Sequence, residues 1–444
     1  MRKVRRWMTA LLALVAACSS ESKDGPDVDA QLVDLLNKAN VTPLTVPAQN
    51  PAQVTLGQAL MFDKILSGRK NIACATCHHP LRHTGDSLPL SIGQGSTGLA
   101  PVRQPVPGAL IPRHAPDLFN RGANQWQTLF WDGRVAAKIG GGGFNTPAGN
   151  NLPAGVASVL AAQAMFPVES RDEMRGQPGQ AGNELGDIAD GDFPAVWDAL
   201  MARLRAIPRY DTLFQAAFGK SVDSVGFETA ANAIAAFQAA AFARYDTPFD
   251  HYLAGDRSAL TDQQKRGAVL FFGKANCGKC HLGPLLTDQK FHNIAVPQLG
   301  PARGPLQGQG LDVGLEETTG SPSDRFKFRT PPLRNVQLTA PYFHNGAFAT
   351  LLGAVKHYVN VSRSLQTYDK SQLPTYLQGS VQEGSGVWNQ VLATLDPIVA
   401  DTLTIQDAEV TDIVAFLQSL TDPSAQDLSG LVPASVPSGL DVGD

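Results

Sequence analysis

Two short runs, Cys74-Ala-Thr-Cys77-His78 and Cys277-Gly-Lys-Cys280-His281, each set two thiols and an imidazole within one turn of chain. Cys-x-x-Cys-His is the spacing that attaches haem covalently. Two thioether bonds fix the porphyrin to a single turn, and the next side chain, histidine, is delivered to the iron as proximal ligand. A structural zinc would need four ligands converging in one small module. These pairs sit in opposite halves of the chain, so each reads as its own haem c site rather than as half of a zinc site or as a disulfide.

The elements that must carry these turns are helical. Gly57-Gln-Ala-Leu-Met-Phe62 leads into the first motif and Gly267-Ala-Val-Leu-Phe-Phe272 into the second, an internal repeat with apolar residues at helical spacing. Thr261 and Gln264 form a capping-box pattern ahead of the second helix. Val410, Ile413, Val414 and Leu417 make the i, i+3, i+4, i+7 stripe of a C-terminal helix that packs on it. Strand signals are sparse. The fold class is therefore mainly α: two cytochrome c-like haem domains with long irregular loops. Residues 135–157, with Gly140 to Gly143 and Pro147, Gly149 and Pro153, read as an irregular surface loop, and the Pro-, Ser- and Gly-rich C-terminus as a flexible tail. The resulting division is 1–17 signal peptide, 18–47 tether and N-terminal segment, 48–254 first haem domain, 255–422 second haem domain and 423–444 tail.

The N-terminus sets the compartment. Arg2, Lys3, Arg5 and Arg6 precede an apolar stretch from Trp7 to Ala17, too short for a membrane span and suited to a secretory signal. It ends in Val15-Ala-Ala-Cys18, which resembles a bacterial lipobox with Cys18 as the lipidated first residue of the mature chain. Ser19 is not the aspartate that holds some lipoproteins at the inner membrane, so the expectation is a periplasm-facing outer-membrane lipoprotein whose lipid anchor is its membrane contact. Loss of residues 1–17 takes four basic residues and no acidic ones, leaving 32 against 40, a net charge of −8. That balance argues against nucleic acid as a partner.

Several longer runs carry a resemblance. Leu66-Ser-Gly with Asn71-Ile-Ala-Cys74, Phe130-Trp-Asp-Gly-Arg134, Pro248-Phe-Asp-His-Tyr-Leu253, Pro332-Leu-Arg-Asn-Val336 and Leu338-Thr-Ala-Pro-Tyr-Phe-His-Asn-Gly346 are similar to the bacterial di-haem cytochrome c peroxidases and their MauG-type relatives, over residues 52–420. The resemblance implies that the N-terminal haem meets peroxide and the C-terminal haem handles electrons. It implies a distal pocket of Gln163, Pro167 and Glu173, with Glu173 as general acid/base, while Glu169 and Asp172 beside it leave open a merely solvated acidic cluster. Trp131 corresponds to the tryptophan between the haems, with a core aromatic as its plain alternative. Where typical members carry a histidine ligand in Ser-Ile-Gly-His-Gly, this chain has Ser91-Ile-Gly-Gln94-Gly95, which implies a first iron held axially by His78 alone; His79 and His83 are the rival ligands. Twelve residues past Gly346 lies Tyr358, the position of the second haem's far ligand, a methionine in peroxidases served by small cytochromes and a tyrosine in MauG types. No methionine follows Met201. His357 is the rival there. Thr339 and Pro341 match positions that hold a calcium ion, whose completing asparagine is His114 here.

These readings converge on an oxidoreductase that uses hydrogen peroxide to form high-valent haem and oxidises a substrate, which in MauG-like enzymes is a partner protein. Two alternatives stay open at this point. One is an ordinary cytochrome c peroxidase drawing electrons from a small carrier protein; the other is a non-enzymatic electron-transfer cytochrome.

Overall fold

The computed structural model describes residues 27–99, 102–105 and 109–442. The signal sequence, Cys18 and the start of the tether lie outside the described residues. Among the described residues no helix is long and apolar enough to cross a membrane.

Each half is organised around one close helix pair. In the first, Pro51–Phe62 lies against the alanine-rich helix Phe227–Ala241; in the second, Asp262–Phe272 lies against Asp407–Gln418. Both crossings occur at the glycine of the repeat. A Cβ on Gly57 would fall on the carbonyl oxygen of Ala233, and one on Gly267 on that of Asp412. Only glycine lets the backbones approach this far, which is why the repeat keeps it. The expected cap is present: Thr261 N–H donates to Gln264 Oε1 at 2.9 Å and Gln264 N–H to Thr261 Oγ1 at 3.3 Å. Val410, Ile413 and Leu417 are buried, with Phe416 completing the face.

Strand is confined to two- and three-residue pieces in two small antiparallel sheets. One of them revises the reading of residues 135–157. Val135–Ala137 pairs with Thr128–Leu129 on one side and Phe144–Asn145 on the other, so the root of that stretch is a hairpin turning through Gly140 to Gly143. All four glycines take positive φ, which makes the turn accessible to them and strained for any other residue.

The chain ends cross over. The helix Val28–Lys38 packs not on the first haem half that follows it but on Asp262–Phe272, with Leu32 and Leu36 in the second core and Asp29 paired to Lys265 at 2.8 Å. Residues 423–442, expected as a loose tail, return to the first half. Ala425, Leu428 and Val436 enter its core, Gln58 Nε2 donates to Leu431 O, and Ser438 Oγ donates to Asp63 at 2.6 Å. Composition suggested a tail because Pro, Ser and Gly leave no helical pattern; apolar residues spaced along an extended path hold it instead. The helix Pro248–Leu253 buries Phe249 and Tyr252 in the second core.

Replacing Gly57 or Gly267 by alanine forces a methyl group into the facing carbonyl. Each substitution is expected to cost about 1–3 kcal/mol of stability, read as a lowered Tm of the holoprotein; unchanged melting in both would show that the helices part freely.

Candidate functional site

The turn Cys74–Cys77 ends with His78 as its C-cap, and His78 Nδ1 lies 3.1 Å from Thr84 O. That contact takes up one ring N–H and leaves Nε2 for a cleft of about 1210 Å³ lined by Cys74, Cys77 and His78. The second site repeats the device, with His281 Nδ1 3.0 Å from Leu286 O beside a cleft of about 1760 Å³ lined by Cys277, Cys280 and His281. A backbone carbonyl on the far nitrogen is the usual way a metal-bound imidazole is oriented. Burial lowers both histidines to about 4, so each ring is neutral, as iron ligation requires. None of the four thiols is in a disulfide. Two pairs of unbridged thiols, each with an oriented neutral imidazole at a large and mostly apolar cleft, fit covalent haem at both places.

The lining of the same cleft also brings in residues about a hundred positions downstream. Gln163 comes from the helix Val159–Ala164, Pro167 opens the short 3-10 turn Pro167–Glu169, and Glu173 sits in the π-helical turn Arg171–Arg175; all three line the cleft. Of the acidic run Glu169, Asp172 and Glu173, only Glu173 does so. Burial raises its pKa, opposed by Arg134 and Arg303 and assisted by Asp172 and Asp132.

Gln94 is turned away from this cleft. Its backbone N–H donates to Asp172 O at 3.1 Å and its Nε2 to Met174 O at 2.6 Å. The residue standing in the place of a histidine ligand thus brackets Glu173 from both sides and holds its turn, a use with no spacing signature in the sequence. His79 and His83 also stay out. His79 Nδ1 accepts from Leu81 N–H with its ring edge-on to Phe62, and His83 Nδ1 meets Ala425 O.

In the second cleft Tyr358, just past the helix Leu351–His357, is part of the lining, and His357 is not. Both nitrogens of His357 are occupied, Nε2 with Ile294 O at 2.7 Å and Nδ1 with Ser364 Oγ at 2.9 Å. Burial drives the Tyr358 phenol far above its ordinary pKa, so only a cationic centre would hold it as phenolate. Thr339 and Pro341 line the same cleft, but His114 points Nδ1 at Leu88 O and is no ligand for a hard cation. The side-chain oxygen that an asparagine would add there is missing.

The two clefts share a wall. Trp131 lines both, with its indole N–H donating to His114 O at 2.9 Å. The loop beneath is pinned by Arg113, which pairs with Asp132 of the first half and, at 2.7 Å, with Asp312 of the second. Arg113 and Asp312 have no short-range sequence signal; their partnership spans half the chain. A second cluster, also missed, lies at the edge of the second cleft, where His292 sits between Asp396 (2.6 Å) and Asp288 (3.0 Å). With a carboxylate on each nitrogen the ring must carry both protons.

The family described as di-haem cytochrome c peroxidase matches residues 51–258. Methylamine utilization protein MauG of Methylorubrum extorquens is 31% identical over 351 residues, covering 78% of this chain and 80% of the relative. Cytochrome c551 peroxidase of Pseudomonas aeruginosa is 33% identical over 316 residues, 71% of this chain and 74% of the relative. A crystal structure of a MauG-like protein associated with microbial copper homeostasis superimposes with a TM-score of 0.59 at 29% identity, covering 87% of this chain and 95% of that one.

Burial works against charge on His292, but Asp288 and Asp396, one on each ring nitrogen, outweigh it and raise the imidazole above its ordinary value. Because the folded value lies above the ordinary 6.5, the stabilisation is complete below pH 6.5 and is lost as pH rises through that raised value. His292→Asn is expected to melt lower than wild type below pH 6.5, with the difference shrinking as pH climbs; a gap that widens with pH would contradict the assignment.

Proposed function

This chain belongs to the family of di-haem cytochrome c peroxidases and MauG proteins, and from that premise we propose that it is a MauG-type peroxidase, with peroxide admitted at the first cleft and substrate oxidised by way of the second. Cys74, Cys77 and His78 would hold one haem and Cys277, Cys280 and His281 the other, with the Tyr358 phenol available to the second. The observation that carries the reading is the convergence of Gln163, Pro167 and Glu173 on the cleft of His78 while Gln94 is engaged elsewhere. A purely electron-transferring cytochrome has no use for a buried carboxylate and amide at an accessible iron face.

The haem, when bound, supplies the redox chemistry of peroxide reduction. Glu173, as carboxylate, takes the proton from the near oxygen of peroxide and returns it to the far oxygen, which departs as water. Gln163 orients the peroxide by hydrogen bonding, and Pro167 shapes the wall without adding a competing N–H donor. Trp131, in the wall common to both clefts, relays an electron between the halves. An ordinary cytochrome c peroxidase shares the first half of this scheme; the relative named cytochrome c551 peroxidase keeps that reading in play. Support for a lipid anchor is the run Val15-Ala-Ala-Cys18.

Glu173 must be ionised to accept the proton, and its pKa is raised above the ordinary 4.5, so the rate of reaction with peroxide falls as pH drops through that raised value. Glu173→Gln is expected to slow the stopped-flow reaction by about 10²–10⁴-fold and to remove that acid limb. A mutant that keeps the wild-type rate and pH profile would remove Glu173 from the mechanism.

The deciding experiment is the visible and electron paramagnetic resonance spectrum of the ferric holoprotein, wild type and Tyr358→Phe. One high-spin haem that the mutation leaves alone and one low-spin haem that it alters are expected, with peroxide reacting without prior reduction. Two low-spin haems that react only after reduction, together with rapid turnover on a reduced small cytochrome, would make the ordinary peroxidase the better reading.

A further inference from the structure

Five residues line both clefts: His114, Pro116, Asp117, Trp131 and Arg329. Arg329 stands apart among them. It is 2% exposed, and its guanidinium is held by neutral acceptors, Nε donating to Phe130 O at 3.0 Å and Nη1 to Thr330 O at 3.1 Å. The other arginines of the first cleft have carboxylate partners: Arg113 with Asp132 and Asp312, Arg121 with Asp117 at 3.3 Å, Arg134 with Asp132 at 2.8 Å and Arg303 with Glu317 at 2.6 Å. Among the described residues no carboxylate pairs with Arg329.

A buried guanidinium does not shed its proton to escape this situation, and an unpaired buried charge is among the most costly features a fold can keep. Asp117, the acid whose field reaches it, is already engaged by Arg121. Burial and the like charge of Arg121 press Arg329 down to about 9, the mark of a cation short of an anion. Nη2 makes no hydrogen bond among the described residues, while the side chain borders both clefts.

We propose that Arg329 anchors a haem propionate carboxylate in the wall between the two clefts, an anion that the chain itself does not supply. The planar fork of guanidinium matches a carboxylate in a way no other cation does. The inference rests on the di-haem reading, with haem filling both clefts. The same residue steadies the relay loop, because Arg329 N–H donates to Trp131 O at 2.9 Å. Cofactor edge and tryptophan are then registered by a single residue, and its positive charge favours the reduced state of the haem whose propionate it holds.

The test compares the holoprotein with Arg329→Gln and Arg329→Lys. Haem per chain is counted first as the pyridine haemochrome. Fewer than two in the wild type would fail the di-haem reading itself and is thereby distinguished from failure of this proposal. With two haems in place, spectroelectrochemical titration of Arg329→Gln is expected to show the reduction equilibrium of at least one haem falling about tenfold, ~59 mV for one electron, with the lysine variant recovering most of it. The haem with the larger shift is the one whose propionate is held. Two unchanged potentials in a fully loaded Arg329→Gln overturn the proposal, as does a crystal structure of the wild-type holoprotein with no propionate oxygen in hydrogen-bond reach of Arg329. That structure decides the matter if the glutamine variant does not accumulate.

Discussion

Arg113 reaches Asp132 in one half of the molecule and Asp312 in the other from a position almost closed to solvent, and the wall between the two clefts is built on that bridge. Removing one partner from such a pair leaves a buried charge uncompensated, a loss of about 3–5 kcal/mol. The geometry is therefore stiff where stiffness matters. Asp132 follows Trp131 directly, so the indole common to both clefts is carried on a loop clamped from both sides, and Arg134 is tied to the same carboxylate at 2.8 Å.

The crossed termini reinforce the seam. The helix Val28–Lys38 lies on the second core and residues 423–442 lie on the first, so each half is held in place by chain from the far side of the sequence. Relative motion of the halves would have to peel off both clasps. A relay through Trp131 gains from this, since electron transfer depends steeply on separation.

The first cleft shows one residue type exchanged for another role. A histidine at position 94 would be a ligand; glutamine there spends its amide on Met174 O and its N–H on Asp172 O, on either side of Glu173. The segment thereby braces the turn that carries Glu173. In the second cleft, the two adjacent candidates are separated by hydrogen bonding: His357 is satisfied at both nitrogens by Ile294 and Ser364, and Tyr358 faces the space.

What the sequence alone determined is whatever depends on near neighbours in the chain. Cys-x-x-Cys-His, the Thr261–Gln264 box, the Val410–Leu417 stripe and the repeated Gly57 and Gly267 are local patterns whose geometry follows from one turn of backbone, and family likeness added Gln163, Glu173 and Tyr358 by position. What only the tertiary structure decided depends on which distant segments meet. Neither the engagement of Gln94, the exclusion of His357, the hairpin within 135–157, the docking of residues 423–442, nor the unpaired charge of Arg329 has a spacing signature. Each is settled by burial, where a polar group must find a partner or a cofactor and an apolar one must find a core, and that choice is made by packing across the whole chain rather than along it.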